Sequence, residues 1–145
     1  MPSVLVALQF ALIAAVAWLA APAFLTGSAP IAAWLLAAVG LALGIWALTA
    51  NRPGNFNIRP TPRPDGHLVR EGPYRWIRHP MYSALLLAGV AAARLSGDGV
   101  SWLILLALAV LLRIKAGVEE RGMIERHPAY RDYQGCTHRF VPGLY

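Results

Sequence analysis

The sequence predicts an all-α integral membrane protein with about four transmembrane helices, the last two forming a short helical hairpin; a cytoplasmic loop and a C-terminal tail carry most of the chemistry. Three observations predict it. The 145 residues are 57% hydrophobic and only 14% charged, with a mean hydropathy of +0.50, too apolar for an ordinary soluble domain. Four apolar stretches have helix-spanning or near-spanning length, and the cations are segregated into two polar segments rather than spread along the chain.

Val4 to Ala21 and Pro30 to Ala50 contain no charged residue. At about 1.5 Å per residue they reach roughly 27 and 31 Å, close to a hydrocarbon core of roughly 30 Å. Ala21-Pro22-Ala23 looks like a leader-cleavage site, but no basic region precedes the apolar run, so a retained first helix is expected. Asn51 to Pro64 holds Pro53, Gly54, Pro60, Pro62 and Pro64, the composition of an ordered coil. Pro80 to Leu95 and Val100 to Ile114 are shorter, about 22 to 24 Å. Ser96-Gly97-Asp98-Gly99 between them signals a tight turn, and the second helix is expected to continue past the membrane surface. The whole forms one domain: two spans in 1–50, a loop in 51–79, the hairpin in 80–114 and a tail in 115–145.

With four spans, the N-terminus, the loop and the tail share one side. Arg52, Arg59, Arg63, Arg70, Arg75 and Arg78 lie in the loop; Arg113, Lys115, Arg121, Arg126, Arg131 and Arg139 lie at or in the tail; only Arg94 falls opposite. The positive-inside rule therefore makes both polar segments and both termini cytoplasmic. Trp18, Trp34, Trp46 and Trp102 fall towards the ends of their spans, as interfacial anchors do. The net charge of +6 needs only anionic lipid headgroups as its partner, and a nucleic-acid role is not expected. Cys136, the one cysteine, can form neither an internal disulfide nor a thiolate metal cluster.

The polar chemistry concentrates in His67 to Tyr82, HLVREGPYRWIRHPMY. Gly66-His67-Leu68-Val69 and Gly72-Pro73-Tyr74 combine glycines, which admit a ligand to the backbone, with groups that stack or hydrogen-bond. Pro80 suits the first turn of the third helix, which puts His79 at its N-cap, where the dipole end favours an anionic group. If the fourth helix reaches about Arg126, Lys115 and Glu119 lie one turn apart on one face, with Glu120 beside them. Glutamates there accept hydrogen bonds from ligand hydroxyls or an ammonium, the alternative being a solvated helix end with a weak Lys-Glu pair. His67, His79, His127 and His138 show no metal-ligand spacing, so no metal is expected.

The run GHLVREGPYRWIRHPMY, followed by Glu119-Glu120 and then Tyr130, Tyr133, Arg139 and Pro142, resembles the isoprenylcysteine carboxyl methyltransferase family and its bacterial branch, related to phospholipid N-methyltransferases. The likeness covers roughly residues 51 to 145. It implies a membrane enzyme that uses S-adenosylmethionine, with Gly66, His67, Leu68, Val69 and Tyr74 lining the cofactor pocket. His79, Pro80, Met81 and Tyr82 would form a second wall, completed by Glu119. By the same resemblance Arg78 and Glu120 support the site, and Lys115 stands where eukaryotic members place an arginine implicated with substrate. Glu125-Arg126-His127-Pro128-Ala129-Tyr130 departs from the family's usual stretch after the glutamates in the manner of the bacterial branch, which implies a bacterial inner membrane and leaves cofactor binding intact while opening the question of whether the acceptor is prenylated. Its Arg-His-Pro-x-Tyr echoes residues 78 to 82, but the first copy opens an apolar helix and the second ends one.

A sulfonium already activates its methyl group, so transfer to a carboxylate needs mainly alignment and exclusion of water. An amine or thiol acceptor also has to lose a proton, to a tyrosine, glutamate or histidine, and no residue declares itself that base. The acceptors consistent with the resemblance are a prenylcysteine carboxylate or related lipid group, a phospholipid amine, or a small thiol. The rival class is a non-enzymatic membrane subunit or a small transporter, although coupled transport calls for an ionisable group within a span and the first two spans have none.

Overall fold

The computed structural model describes residues 2–51 and 68–143. The proline-rich coil read from the sequence, together with Gly66 and His67, lies outside them. All four apolar stretches are helices: α1 Pro2–Thr26, α2 Ile31–Asn51, α3 Pro80–Ser96 and α4 Gly99–Arg126. A 3₁₀ turn, Gly72–Arg75, precedes α3, and a short α5, Tyr130–Cys136, follows α4. Among the described residues there is no β-strand, only a single parallel bridge between Ile77 and His138.

Three helices, α1, α2 and α4, are long and apolar enough to cross a membrane, as fits an integral membrane protein. The 17 residues of α3 are apolar but reach only about 26 Å, the short end of spanning length. Helix α1 runs past Ala21 to Thr26, carrying Pro22 within it. A proline removes one hydrogen bond without ending a helix that its surroundings favour. Trp18 therefore falls in the second half of α1 rather than at its end, and it is exposed as a lipid-facing ring would be. Helix α4 ends at Arg126, as the sequence predicts.

Helix α2 packs chiefly on α3, while α1 lies against both α3 and α4. Close approach is possible because small residues line the contacts: a Cβ on Gly40 would stand 3.2 Å from the Ala84 carbonyl oxygen, and one on Gly89 only 2.7 Å from Leu105 Cδ1. The α3–α4 turn uses the chemistry its sequence announced. Gly97, at φ +68°, caps α3 in the left-handed region, and Asp98 Oδ1 accepts the Ser101 amide at 2.8 Å to cap α4.

The buried stripe of α4 positions the site. Leu105, Leu108 and Leu112 recur at helical spacing against α1 and α3, and the same stripe continues as Lys115, Ala116 and Glu120. One face of one helix thus passes from hydrocarbon packing to buried charge within two turns.

Candidate functional site

Pro80 opens α3 at its first position, and His79 is the N-cap. The His79 side chain makes no cap bond of its own, which leaves the ring directed at α4. The approach to that point is fixed by Gly72, at φ +56°, where a Cβ would stand 2.8 Å from that of Ala50 at the end of α2.

The tail returns to the same place. Arg78 donates its amide to the His138 carbonyl (2.8 Å), His79 to that of Arg139 (3.1 Å), and His138 to that of Trp76 (2.9 Å). Ser83 Oγ donates to the Phe140 carbonyl at 2.6 Å. Further out, the Tyr133 hydroxyl donates to the Tyr74 carbonyl at 2.6 Å, and Arg70 to the Ala129 carbonyl at 2.8 Å. Residues that begin α3 and residues that follow α5 therefore form one wall above the end of α4.

Glu120 is the hub of that wall. Its carboxylate meets Arg78 Nε at 2.9 Å, His79 Nε2 at 3.2 Å and an Arg139 nitrogen at 2.5 Å, with the Gln134 amide at 3.3 Å. The side chain is only 4% exposed, so every lone pair is committed within the protein. Arg78 extends the brace by donating to the carbonyls of Gln134 and Thr137.

Glu119, one residue earlier, is in a different situation. Its Oε1 accepts from the Tyr82 hydroxyl, its Oε2 lies 3.3 Å from His79 Nδ1, and its side chain keeps 22% exposure. Each oxygen retains an acceptor position beyond the one in use. The His79 and Tyr82 rings stack beside it, 5.4 Å between centroids and 3° from parallel, with Phe140 tilted against both. Lys115, one turn below, points its ammonium over the Tyr82 ring, 5.3 Å from the centroid.

His79 has a carboxylate at each ring nitrogen, an arrangement that only the doubly protonated imidazolium satisfies on both sides. Burial alone would lower its pKa, but the hydrogen bonds and charges of Glu119 and Glu120 outweigh it and leave the pKa raised. Burial pushes the Tyr74 phenol up to about 12, with the Glu119 charge adding to the effect. Tyr130 and Tyr133 are raised too, by burial first and then by Glu120 and Tyr74 respectively. At neutral pH these three phenols are donors, not bases.

The structure brings His79, Tyr82, Glu119, Glu120, Arg78 and Lys115 into one connected group, and Tyr74 joins it through Tyr133 and then Thr137, which meets Arg78. Pro80 is buried and Met81 half-buried in the first turn of α3, while Leu68 and Val69 stand half-buried in the irregular stretch before Gly72. Gly66 and His67 are outside the described residues. Sequence reasoning passed over Gln134 and Gln9 and gave Arg139 no place in the site. Arg139 was visible as part of the tail motif, and Gln9 as the lone amide in an apolar run.

Comparison with known proteins adds one finding. The profile of the isoprenylcysteine carboxyl methyltransferase (ICMT) family matches residues 33–125, well over half of the chain and including α3, Arg78-His79-Pro80 and the Glu119-Glu120 pair. A search of curated proteins returns no match.

Proposed function

The chain belongs to the isoprenylcysteine carboxyl methyltransferase family, and from that membership we propose that it transfers a methyl group from S-adenosylmethionine to a lipophilic acceptor at the membrane, a prenylcysteine carboxylate or a related lipid group. The reading includes α3 as a fourth span and a cytoplasmic site, with both termini on that side. Cation placement supports that orientation, and reporter fusions near Phe140 and at Gly97 should give opposite signals.

The residues present fit the cofactor. Glu119 offers two open acceptor positions beside stacked aromatic rings, the chemistry that takes a ribose hydroxyl or an ammonium. In this proposal Glu119, His79, Pro80, Met81 and Tyr82 hold the cofactor on one side, and Tyr74 with Gly66, His67, Leu68 and Val69 on the other. When bound, S-adenosylmethionine supplies an activated methyl group, which leaves its sulfonium without the bonding electron pair as a lone pair of the acceptor forms the new bond. Glu120, Arg78 and Arg139 hold the two walls together, and the tail over α3 excludes water.

The observation that carries the carboxylate acceptor is the protonation of the site. His79 lies between two carboxylates that favour its protonated form, and Tyr74 is a protonated phenol. Of the groups described, only the Glu119 carboxylate could take a proton from an amine or a thiol, and a proton-free acceptor asks least of the site. A carboxylate has no proton to lose. Titration calorimetry of purified protein in detergent should show saturable binding of S-adenosylmethionine, or of its demethylated product, near one per chain. Folded protein that gives no heat at millimolar cofactor would overturn the enzyme reading and favour a non-enzymatic subunit.

A further inference from the structure

Helix α1 carries one amide side chain, Gln9, and it is 7% exposed in an otherwise apolar stretch. Its Oε1 accepts a hydrogen bond from Lys115 Nζ at 2.5 Å, joining residues 106 apart in sequence. Lys115 is 1% exposed. Among the described residues no carboxylate lies within 4 Å of its nitrogen; its near neighbours are the Gln9 oxygen and the Tyr82 ring. An ammonium has three donors and a full charge, and a neutral amide satisfies one donor without cancelling the charge. The Glu119 charge acts on it from beyond ion-pair distance, and burying an ammonium with no carboxylate in contact is expensive unless something else meets it.

The wider site points the same way. Glu120 is committed to Arg78, His79 and Arg139, and Glu119 to His79 and Tyr82, so among the described residues neither carboxylate pairs directly with Lys115, which lies deepest of these groups along α4. Gln9 lies about 10 Å along α1 from Pro2, so the pair sits below the mouth, on the bilayer side of Glu119.

We propose that Gln9 is a positioning residue for the methyl acceptor: it holds the Lys115 ammonium towards the bilayer side of the site, where that ammonium receives the carboxylate of an amphiphilic acceptor. This rests on the methyltransferase reading and extends it to a helix outside the segment that the family profile matches. Gln9 touches no substrate. It fixes where the cation stands, and the cation selects a charged acceptor over a neutral one.

The test compares binding of N-acetyl-S-farnesylcysteine with that of its uncharged methyl ester, in wild type, Gln9→Leu and Gln9→Glu protein in nanodiscs. Cofactor affinity is measured in parallel. Wild type should prefer the carboxylate to the ester by about tenfold or more, the scale of one charge-assisted hydrogen bond. Gln9→Leu should lose most of that preference. Gln9→Glu should abolish it by pairing the ammonium internally, while cofactor affinity stays within about twofold in both. A purely structural Gln9 predicts the opposite for Gln9→Glu, because an ion pair with Lys115 keeps α1 and α4 pinned and the preference intact. If Gln9→Leu does not fold, Gln9→Glu decides alone. Wild type that binds cofactor without preferring the carboxylate overturns the assignment and leaves the methyltransferase reading standing. Wild type that binds no cofactor removes both.

Discussion

Two buried polar clusters stand about one helical turn apart on α4, and they are built on opposite principles. Around Glu120 one carboxylate is met by Arg78, His79, Arg139 and Gln134. Around Lys115 one ammonium is met by an amide oxygen and a ring face. The first cluster is closed: its charge is more than answered, and it fastens the start of α3, the end of α4 and the tail into one body. The second is open, holding a charge that its neighbours orient without neutralising. Burial alone does not separate a structural charge from a receptive one; what its neighbours do to the charge does.

Glu119 lies between the two, and substitutions along this short path should separate them. The largest effect is expected from Glu120→Ala, which takes the shared carboxylate away from Arg78 and Arg139 and one of two carboxylates away from His79. Breaking a buried ion pair on one side costs about 3–5 kcal/mol, so the variant should unfold at markedly lower temperature in detergent and accumulate poorly. A Glu120→Ala protein as stable as wild type would break the comparison, because the closed cluster would then not be structural.

Glu119→Gln should leave stability nearly unchanged and weaken cofactor affinity about tenfold to a hundredfold, the range of one lost charge-assisted hydrogen bond. Glu125→Gln, six residues further along α4, is the control and should bind like wild type in calorimetry. Wild-type affinity in Glu119→Gln would return Glu119 to the status of a helix-end carboxylate.

Tyr82→Phe removes the hydroxyl that orients Glu119 and keeps the ring beneath Lys115. Cofactor affinity should fall only about two- to tenfold, matching a neutral hydrogen bond of about 0.5–1.5 kcal/mol. The acceptor carboxylate preference should persist, since the ring remains.

The smallest effect concerns pH. His79 has a folded pKa raised above its ordinary 6.5. The stability it contributes is therefore complete below the unfolded value and is lost as pH rises through the folded value. Melting temperature should fall by roughly a few degrees across that window, and His79→Gln should flatten the change. A wild-type profile that rises over the same window would contradict an imidazolium between the two glutamates.

The helices were legible in the sequence because hydropathy and punctuation agree. Pro80 opens α3, Gly97-Asp98 carries the chain from α3 into α4, and α4 continues past its apolar run to Arg126. The overshoot of α1 through Pro22 was not, since a proline after an apolar run reads as an end when nothing shows what packs around it. Within the site, the convergence of His79, Tyr82 and Glu119 was carried by the motif and its family likeness. The difference between Glu119 and Glu120 was not, because adjacent glutamates look identical until the tail shows which of them it covers. That return of the tail rests on a few backbone hydrogen bonds around Ile77 and His138, which leave no periodicity to read. Gln9 and Lys115 were separated by too many residues for sequence to pair them.

The docking of the tail also sets an order of events during synthesis. All four long helices precede Gln134, Thr137 and Arg139 in the chain, so they can form while Glu120 still lacks part of its shell. Until then that carboxylate keeps its charge in contact with water at the membrane mouth. Its burial is deferred until the tail docks, and a chain cut short before Gln134 would keep all four long helices while the wall over α3 stayed open.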